Sequence, residues 1–482
     1  MPEGAEETGA PSYEELAELA AVQKQLIEEQ AQQIARLEAE LEELKRRLGR
    51  NPRNSSIPPS AEGLAKPVAK NRAERREEMR RQGKQPGAEG KHLAQVADPD
   101  EVIVHAPESC RSCGGALLDA EVIGVEVRQV FELPRMRAIV TEHQLERRRC
   151  ACGCETKADP PREATAPACY GPGVRALVTY LAVYQHLPYD RLARLLADVL
   201  GIEVSVGAIA QMLGEAGGAL GTFSEVIAEL LKTAPAVHFD ETGGRVAGRL
   251  QWIHVASTTL YTLLECHPRR GVAAMDEMGI LEKMTGVAIH DGWKPYRTYD
   301  VVHGLCNAHH LRELQSLVEA GQSWAEEMIG LLVDAKRAVD AAKALGATSL
   351  DPSALQLIRV RYGRLICSGW QENPLPADGK RTGVVRTAAN LLTRLDHQRR
   401  DVLRFTTDFA VSFDNNQAER DLRMVKLQQK ISGSWRTLAG AKSFCAIRSY
   451  ISTMRKHDAD VLSGLRQLFE GSIWLPSAVL RS

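Results

Sequence analysis

The chain has 482 residues, of which 44% are hydrophobic and 26% are charged, and its formal net charge is −1. This length exceeds that of one ordinary domain, and the composition is that of a soluble, multidomain globular protein. No apolar run reaches the roughly 18 residues that a membrane span needs, and the N-terminal MPEGAEETGA lacks the basic start and the apolar stretch of a secretory signal. We therefore expect a cytoplasmic protein.

Residues 13–48 contain no Pro or Gly and are predicted to form one helix. Apolar residues recur every seven positions with a second set interleaved, which is the seam of a short coiled coil. We favour self-association through this seam, and an amphipathic helix packed on its own chain is the alternative. The seam consists of Ile27, Ile34, Leu37, Leu41, Leu44 and Leu48.

Residues 49–94 are predicted to form a flexible basic linker. The segment opens with NPRNSSIPPS, which Pro and Ser keep extended. From Lys66 to Lys91, nine Lys or Arg oppose four Glu, a local net charge of +5. Such a cluster can strengthen DNA binding without sequence preference, and a solvated linker is an equal alternative.

Two cysteine groups fall within residues 95–165. In a reducing compartment such groups are metal ligands more often than disulfides, and residues between them alternate as strands do. The pattern predicts a zinc ribbon with four sulfur ligands, and buried free thiols are the alternative. The sequence does not decide which member of the second group is not a ligand. The groups are Cys110 and Cys113 in CRSCGG, and Cys150, Cys152 and Cys154 in CACGC.

Residues 166–232 are predicted to be helical. The segment YDRLARLLADVLGIEVSVGAIAQMLGEA predicts a helix, a tight turn at Gly201 and a second helix from about Ser205. This spacing fits a helix-turn-helix that binds DNA, and an ordinary helical hairpin is equally compatible with it.

Residues 233–460 carry the candidate catalytic domain. Three strands in a meander, with a turn expected at Gly243 and Gly244, are followed by a helix (MDEMGILEKM), a strand (GVAIH), another strand (VVHGLC) and a helix (NAHHLRELQSL). This is the element order of a ribonuclease-H-like domain, in which the first and fourth strands lie side by side. Asp240 ends the first predicted strand and Asp291 follows the fourth, so we expect the two carboxylates to face one another.

A third acid, Glu419, stands in the predicted helix FDNNQAERDLRMVKLQQK, where Asn415 is expected to cap the helix start. Three carboxylates can hold two Mg²⁺ or Mn²⁺ ions for phosphodiester chemistry. From Asp414 to Lys456, nine Lys or Arg oppose three acids, a local net charge of +6, so this region is expected to hold the DNA backbone. The candidate DNA-binding residues on the helix are Arg420, Arg423, Lys426 and Lys430.

The remaining segments and residues near these acids have open assignments. Residues 321–395 are predicted to be a helical insertion within the catalytic domain, and residues 461–482 a C-terminal tail. Glu241 should point away from Asp240 because neighbours on a strand face opposite sides. We favour a core position for Trp293, with stacking on a flipped base as the alternative. Cys306, His309 and His310 could ligate zinc, contact DNA or pack, and His309 is retained as a candidate DNA contact.

Four strings resemble the signature blocks of the insertion-sequence-66 family of transposases: HFDETGGRVAGRLQWIHVAST, HDGWKPY, LCNAHHLREL and FDNNQAERDLRMVKLQQKISGSWRT. The resemblance also includes the zipper-like helix, the NSSxPPS linker, the cysteine groups and YGPGVRALVTYLAVYQHLPYDRLARLL. It departs from the family at Ile57, where Lys is common, and at Ser434, where Cys is frequent.

The resemblance implies a DDE-type transposase of a bacterial insertion sequence, in which Asp240, Asp291 and Glu419 carry the chemistry. Such an enzyme binds the element's terminal repeats and target DNA, acts as a dimer or larger assembly, and can need helper proteins from the same element. Two other functions compete with it. One is a nuclease or Holliday-junction resolvase of the same superfamily, and the other is a non-catalytic DNA-binding regulator, which would not need all three acids.

Overall fold

The structure, a computed structural model, describes residues 23–34, 36, 37, 93–134, 136–376 and 379–477. Residues 23–34, 36 and 37 are helical, and the side chains of Ile27, Ile34 and Leu37 are exposed. The rest of the predicted coiled-coil seam, and nearly all of the basic linker, lie outside the described residues. No helix in the described ranges is long and apolar enough to cross a membrane.

The described residues fall into two units, one of which contains the first cysteine group. In this unit Cys110 and Cys113 lie in a tight turn, where the Cys110 amide donates to the Gly115 carbonyl at 2.8 Å. Described residues 114–146 form no regular strand, so the strands predicted there are wrong. Side chains such as Ile123, which is 97% exposed, have no opposing layer. Alternation produces a stable strand only where one face is covered.

The second cysteine group belongs to the other unit, which also contains all the helices and strands named below except the end of one helix. Cys150, Cys152 and Cys154 lie in the turn between strands β1 (Arg147–Arg149) and β2 (Glu155–Lys157), which pair in antiparallel fashion. The Cys150 amide donates to the Cys154 carbonyl at 2.8 Å. Both cysteine groups are therefore held in short, hydrogen-bonded turns.

A helical segment precedes the main sheet. It comprises α1 (Pro172–Thr179), a π-helical turn (Tyr180–Tyr184), α2 (Tyr189–Leu200), α3 (Val206–Ala219) and α4 (Gly221–Lys232). As predicted, α2 is followed by a left-handed Gly201, and the Ser205 hydroxyl caps α3 by accepting from the Ala208 amide. However, α3 contains no Lys or Arg, and its buried face packs on a later helix, α13 (Leu438–Lys456). The two predicted helices are present, and DNA binding by α3 stays a prediction.

Five strands form one mixed sheet. Strands β3 (Ala236–Val246), β4 (Arg249–Ser257) and β5 (Thr262–His267) are antiparallel, whereas β6 (Val287–His290) and β7 (Val302–Leu305) run parallel to β3. The order across the sheet is β5-β4-β3-β6-β7. The predicted meander and the predicted fourth and fifth strands are therefore present. The chain is a mixed α/β protein.

The turn of the first hairpin lies beyond the position predicted for it. Gly243 and Gly244 pair with Trp252 and Gln251 inside the β3–β4 ladder. The chain reverses at Ala247 and Gly248, both with positive φ, which suits a two-residue hairpin turn. Gly243 and Gly244 therefore do not form the turn of this hairpin. A Cβ on Gly244 would lie 2.7 Å from the amide nitrogen at the end of the Gln429 side chain, so the helix that carries Glu419 lies close to this strand.

Helices cover and extend this sheet. Helix α5 (Val272–Met278) ends earlier than predicted because Gly279 adopts a left-handed conformation. A 3₁₀ turn (Lys294–Thr298) separates β6 from β7, and α6 (Asn307–Val318) follows β7. Three long helices within the predicted insertion, α7 (Ser323–Ala344), α8 (Pro352–Glu372) and α9 (Gly383–His397), share a core that includes Trp324, Tyr362 and Leu392.

The final helices return to the sheet. After the short helices α10 (Arg399–Val402) and α11 (Arg404–Thr407), α12 (Asn416–Ser432) packs on β3 and α13 packs on β5. The last helix, α14 (Val461–Glu470), is capped by Asp460 and buries Leu465 and Leu468. Residues 461–470 are therefore an ordered helix packed on α1, rather than the tail that we predicted.

Candidate active site

Asp291 directly follows β6, which runs parallel to the strand that carries Asp240. The β3–β6 register pairs His238 with Ile289, and continuing it by two residues places Asp240 opposite Asp291. Adjacent strands are about 4.8 Å apart, and residues level with each other point to the same face of a sheet. We predicted that Asp240 ends its strand, and this prediction is wrong because β3 continues to Val246. Asp240 stands where β6 stops, and β3 continues beyond it with β4 as its only ladder partner at that level.

Backbone amides fix the orientation of both carboxylates. The Trp293 amide donates to Asp291 Oδ1 at 2.8 Å, in a turn that Gly292 allows with a φ of +90°. The Glu241 amide donates to Asp240 Oδ1 at 2.8 Å. Each carboxylate has thus only one oxygen engaged in a local hydrogen bond. The other oxygens are available to a ligand.

Asn415 joins the start of α12 to the strand that carries Asp240. Its side-chain nitrogen donates to the Phe239 carbonyl at 2.8 Å, and its oxygen is 2.9 Å from Nδ1 of His238. Its backbone amide donates to the Cys306 sulfur at 3.1 Å. The expected side-chain cap is therefore wrong for Asn415, because its amide group is engaged by β3. Asp414 instead accepts from the Asn416 amide at the helix start.

Glu419 lies one turn into α12, the helix whose start Asn415 links to β3. Burial raises the pKa of Asp240 well above its ordinary value, and the negative charges of Glu241, Asp291 and Glu419 raise it further. The pKa of Glu419 is also raised, first by burial, while Arg312 opposes this effect. The three predicted acids are thus close enough to repel one another. A cation between them relieves that repulsion, and oxygen-only ligands suit Mg²⁺ or Mn²⁺.

Glu241 is engaged by other residues. It is buried, accepts from the Tyr296 hydroxyl at 2.7 Å and forms an ion pair with Arg270 at 2.7 Å. Arg270 also lies over the ring of Trp293, 4.0 Å from its centroid. Trp293 is only half-buried, so the core position that we favoured is wrong. It forms part of the wall beside Asp291, and the guanidinium holds its ring there.

Cys306, His309 and Glu419 form a second cluster next to the acids. The Cys306 sulfur, a ring nitrogen of His309 and a carboxylate oxygen of Glu419 all lie within 4.8 Å of one another. Burial raises the pKa of the Cys306 thiol to about 12, which keeps it protonated. Burial and Arg312 lower the pKa of His309 to about 4, so its ring is neutral. His310 is buried and bonds to Asn307, which assigns it to packing.

The predicted DNA-binding side chains on α12 differ in their surroundings. Arg420, Arg423 and Lys430 are exposed, as a backbone contact requires. The ammonium group of Lys426 instead donates to the Gly243 carbonyl at 2.7 Å, and burial lowers its pKa. Lys426 thereby holds α12 against β3.

Arg312 is a charged neighbour of the acids that the sequence analysis missed. It stands on α6, and its guanidinium is 3.8 Å from Glu419. Its spacing of three residues from His309 would have placed both on one face of the predicted helix. That signal was present, but nothing in the sequence showed that this face meets Glu419.

Comparisons with known proteins agree with this geometry. Residues 167–443 match the family described as "Transposase IS66 family", which covers the sheet and all three acids. Residues 107–154 match the "zinc-finger binding domain of transposase IS66", which includes both cysteine groups. Residues 8–94 match a family of unknown function. A protein of Sinorhizobium fredii (strain NBRC 101917 / NGR234), "Uncharacterized protein y4hP", is 23% identical over 415 residues, covering 75% of this chain and 70% of that protein.

Proposed function

Because the chain belongs to the IS66 family of transposases, we propose that it is a DDE-type enzyme that cleaves and joins DNA with Asp240, Asp291 and Glu419. The observation that carries the proposal is the position of these acids. Asp240 stands on β3, Asp291 directly follows the adjacent parallel strand β6, and the charges of Asp291 and Glu419 both act on Asp240. Family membership already gives a transposase with a zinc-finger domain. The acids supply the chemical step.

The sheet supports a ribonuclease-H-like catalytic domain. Its order, with a three-stranded antiparallel meander followed by two parallel strands on the other side of β3, matches the arrangement that we predicted for that fold. The helices α7, α8 and α9 then form the insertion between the second and third acids. The coiled coil is proposed on its sequence pattern alone.

The acids fit a pair of divalent cations. Their donors are carboxylate oxygens, and the pKa of Asp240 is raised by neighbouring negative charges that a cation would offset. When bound, such ions activate an attacking oxygen and stabilise the leaving oxygen of a phosphodiester. Asp240 and Asp291 would hold the ions from the sheet, and Glu419 would hold them from α12. Arg312, beside Glu419, limits the negative charge that the site presents to DNA.

The reaction that we propose has two steps. Hydrolysis of a phosphodiester at the element's end leaves a 3′-hydroxyl, and that hydroxyl then displaces an oxygen of a phosphodiester in target DNA. No covalent enzyme intermediate is needed. Arg420 and Arg423, exposed on the helix that carries Glu419, are positioned to contact the DNA backbone. The partners are the terminal repeats, target DNA, a second copy of this chain, and helper proteins encoded by the same element.

Cleavage of the element's own end DNA tests the proposal. We expect Asp240→Asn, Asp291→Asn and Glu419→Gln each to abolish cleavage in Mg²⁺ while retaining DNA binding in gel shifts. Glu241→Gln is the matched control, because Glu241 adjoins Asp240 but is engaged by Tyr296 and Arg270. Cleavage at the wild-type rate by any of the three variants would remove that residue from the site.

The same assay separates the two rival functions. A junction resolvase of the same superfamily would cut branched DNA irrespective of the terminal repeats. A non-catalytic regulator would bind the ends and cut nothing. Only a transposase yields joined products between the element's end and target DNA.

A further inference from the structure

A polar cavity of about 320 Å³ lies between the π-helical turn, α12 and α13, away from the acid cluster. Asp421 lines it from α12, two residues after Glu419. Residues two apart on a helix are separated by about 200° around its axis, so Glu419 and the cavity occupy different faces of α12. The other lining residues are Tyr184, Arg448, Ser452, Arg455 and Lys456.

Arg448 is a buried cation that forms no ion pair with the described residues, although the charge of Asp421 acts on it. Its side chain is 7% exposed, and its Nε and Nη1 atoms are buried without a hydrogen-bond partner. Its guanidinium lies over the ring of Tyr184 at 5.3 Å, which orients it. Burial lowers the pKa of Arg448, a sign that its charge is poorly solvated. An unpaired buried charge destabilises the folded protein unless something compensates it.

The acid in the cavity is already engaged. Asp421 is 2.9 Å from the ammonium group of Lys456 and accepts further bonds from Thr262 and Gln417. Lys456 also donates to the Thr258 and Tyr261 carbonyls. This pair is therefore internally balanced. The charges of Arg448 and of the exposed Arg455 are left to face the cavity.

We propose that this cavity binds a phosphate group. A guanidinium at the cavity wall is suited to a phosphate oxygen, a second arginine stands at the same cavity, and Ser452 offers a neutral donor. The group is either a DNA backbone phosphate away from the scissile bond or a free phosphate. The DNA source rests on the proposed function, and the free phosphate does not.

Two measurements on the full chain distinguish these sources. The first is binding of a fluorescent 30-base-pair duplex as a function of salt, where each neutralised phosphate contributes about 0.9 to the slope of log affinity against log salt. The second is the melting temperature in sodium phosphate against sodium chloride of equal ionic strength. The variants are Arg448→Met and Arg455→Gln, and Arg466→Gln on α14 is the control because Arg466 pairs with Glu470 outside the cavity.

For a DNA phosphate, we expect Arg448→Met to lower the salt slope by about one and Arg455→Gln to lower it as well, while Arg466→Gln leaves it unchanged. For a free phosphate, sodium phosphate should raise the melting temperature of the wild type but not of Arg448→Met, with unchanged salt slopes. Unchanged slopes together with no phosphate effect on the wild type would overturn the proposal. Arg448→Met can be less stable than the wild type and still have the same salt slope. If Arg455→Gln is also unaffected in both measurements, Arg448 is a purely structural residue and the proposal is wrong.

These outcomes do not depend on catalysis. If the acid variants cleaved DNA normally, the assignment of the acids would fail while the salt slopes and phosphate shifts could still support the cavity. If the cavity variants bound DNA and phosphate like the wild type, the cavity proposal would fail and the assignment of the acids would still stand.

Discussion

The side-chain amide of Asn415 donates to the carbonyl of Phe239 at 2.8 Å, across 176 residues of sequence. This bond links the first residue before α12 to the residue before Asp240. Since Glu419 lies one turn into the same helix, the distance between the first and third acids depends on it. We therefore treat Asn415 as a positioning residue for the active site.

Asn415→Asp should impair the site without removing an acid. The change replaces the amide donor with an oxygen that faces the Phe239 carbonyl, and leaving that buried acceptor unpaired costs about 1–3 kcal/mol. We expect a lower melting temperature and a higher Mg²⁺ concentration for half-maximal cleavage. Asn416→Asp is the control, because Asn416 is exposed at the next position. Identical Mg²⁺ dependence in the two variants would show that Asn415 does not position Glu419.

The stability of the metal-free protein should depend on Asp240 and on pH. Burial and neighbouring acids raise the pKa of Asp240 in the folded state. Its contribution to stability is therefore fully present below the pKa of the unfolded chain and is lost as pH rises through the folded pKa. Asp240→Asn cannot lose a proton there, so the variant should melt above the wild type at about pH 8, with a smaller difference at about pH 5.

Magnesium should reverse that order. A cation that binds the folded wild type raises its melting temperature, whereas Asp240→Asn lacks a ligand. Calorimetry with and without Mg²⁺ measures both effects. A variant that melts below the wild type without metal at the higher pH would mean that Asp240 is stabilised by its neighbours instead of repelled by them.

Zinc should be lost when the first cysteine pair is removed. We expect about one zinc per chain by mass spectrometry, and none after Cys110→Ser and Cys113→Ser are combined, because a ribbon needs four sulfur ligands. Cys367→Ser is the control, since Cys367 is exposed on α8, outside both cysteine groups. Full zinc content in the double variant would exclude Cys110 and Cys113 as ligands.

Self-association should depend on the N-terminal seam. Replacing Leu37 and Leu44 with Ser should lower the mass seen by light scattering, because a short coiled coil has few core layers to lose. Joined-end products should decrease more than cleavage of a single end. Gln32→Ser, at an outer heptad position, should change neither. An unchanged mass in the double variant would show that the stripe packs within its own chain.

The sequence predicted the parts of the fold that local patterns determine. The order of the five strands along the chain, the turn at Gly201 between α2 and α3, and the helix of Glu419 all followed from apolar periodicity and turn residues. The predictions were wrong where contacts between residues far apart in the sequence determine the local structure. Gly243 and Gly244 look like a turn in the sequence, but both pair with β4 inside the hairpin ladder. Asn415 looks like a cap, yet its partner is Phe239.

The candidate site shows the same limit. The three acids could be chosen from their strands, their helix and the family resemblance. Arg312 and the cavity at Arg448 could not be chosen from the sequence, because their roles depend on which faces of the helices are in contact. Trp293 was assigned to the core on its residue type, whereas the structure places it under Arg270 beside Asp291.

Manganese binding tests whether Asp240, Asp291 and Glu419 form one metal site, because it does not require DNA or turnover. Electron paramagnetic resonance counts free Mn²⁺ during a titration of the full-length protein. The three acids should hold about two ions per chain, and Asp240→Asn, Asp291→Asn and Glu419→Gln should each lose or greatly weaken that binding, while Glu241→Gln keeps it. Undiminished Mn²⁺ binding in all three acid variants would show that the acids do not form a common metal site.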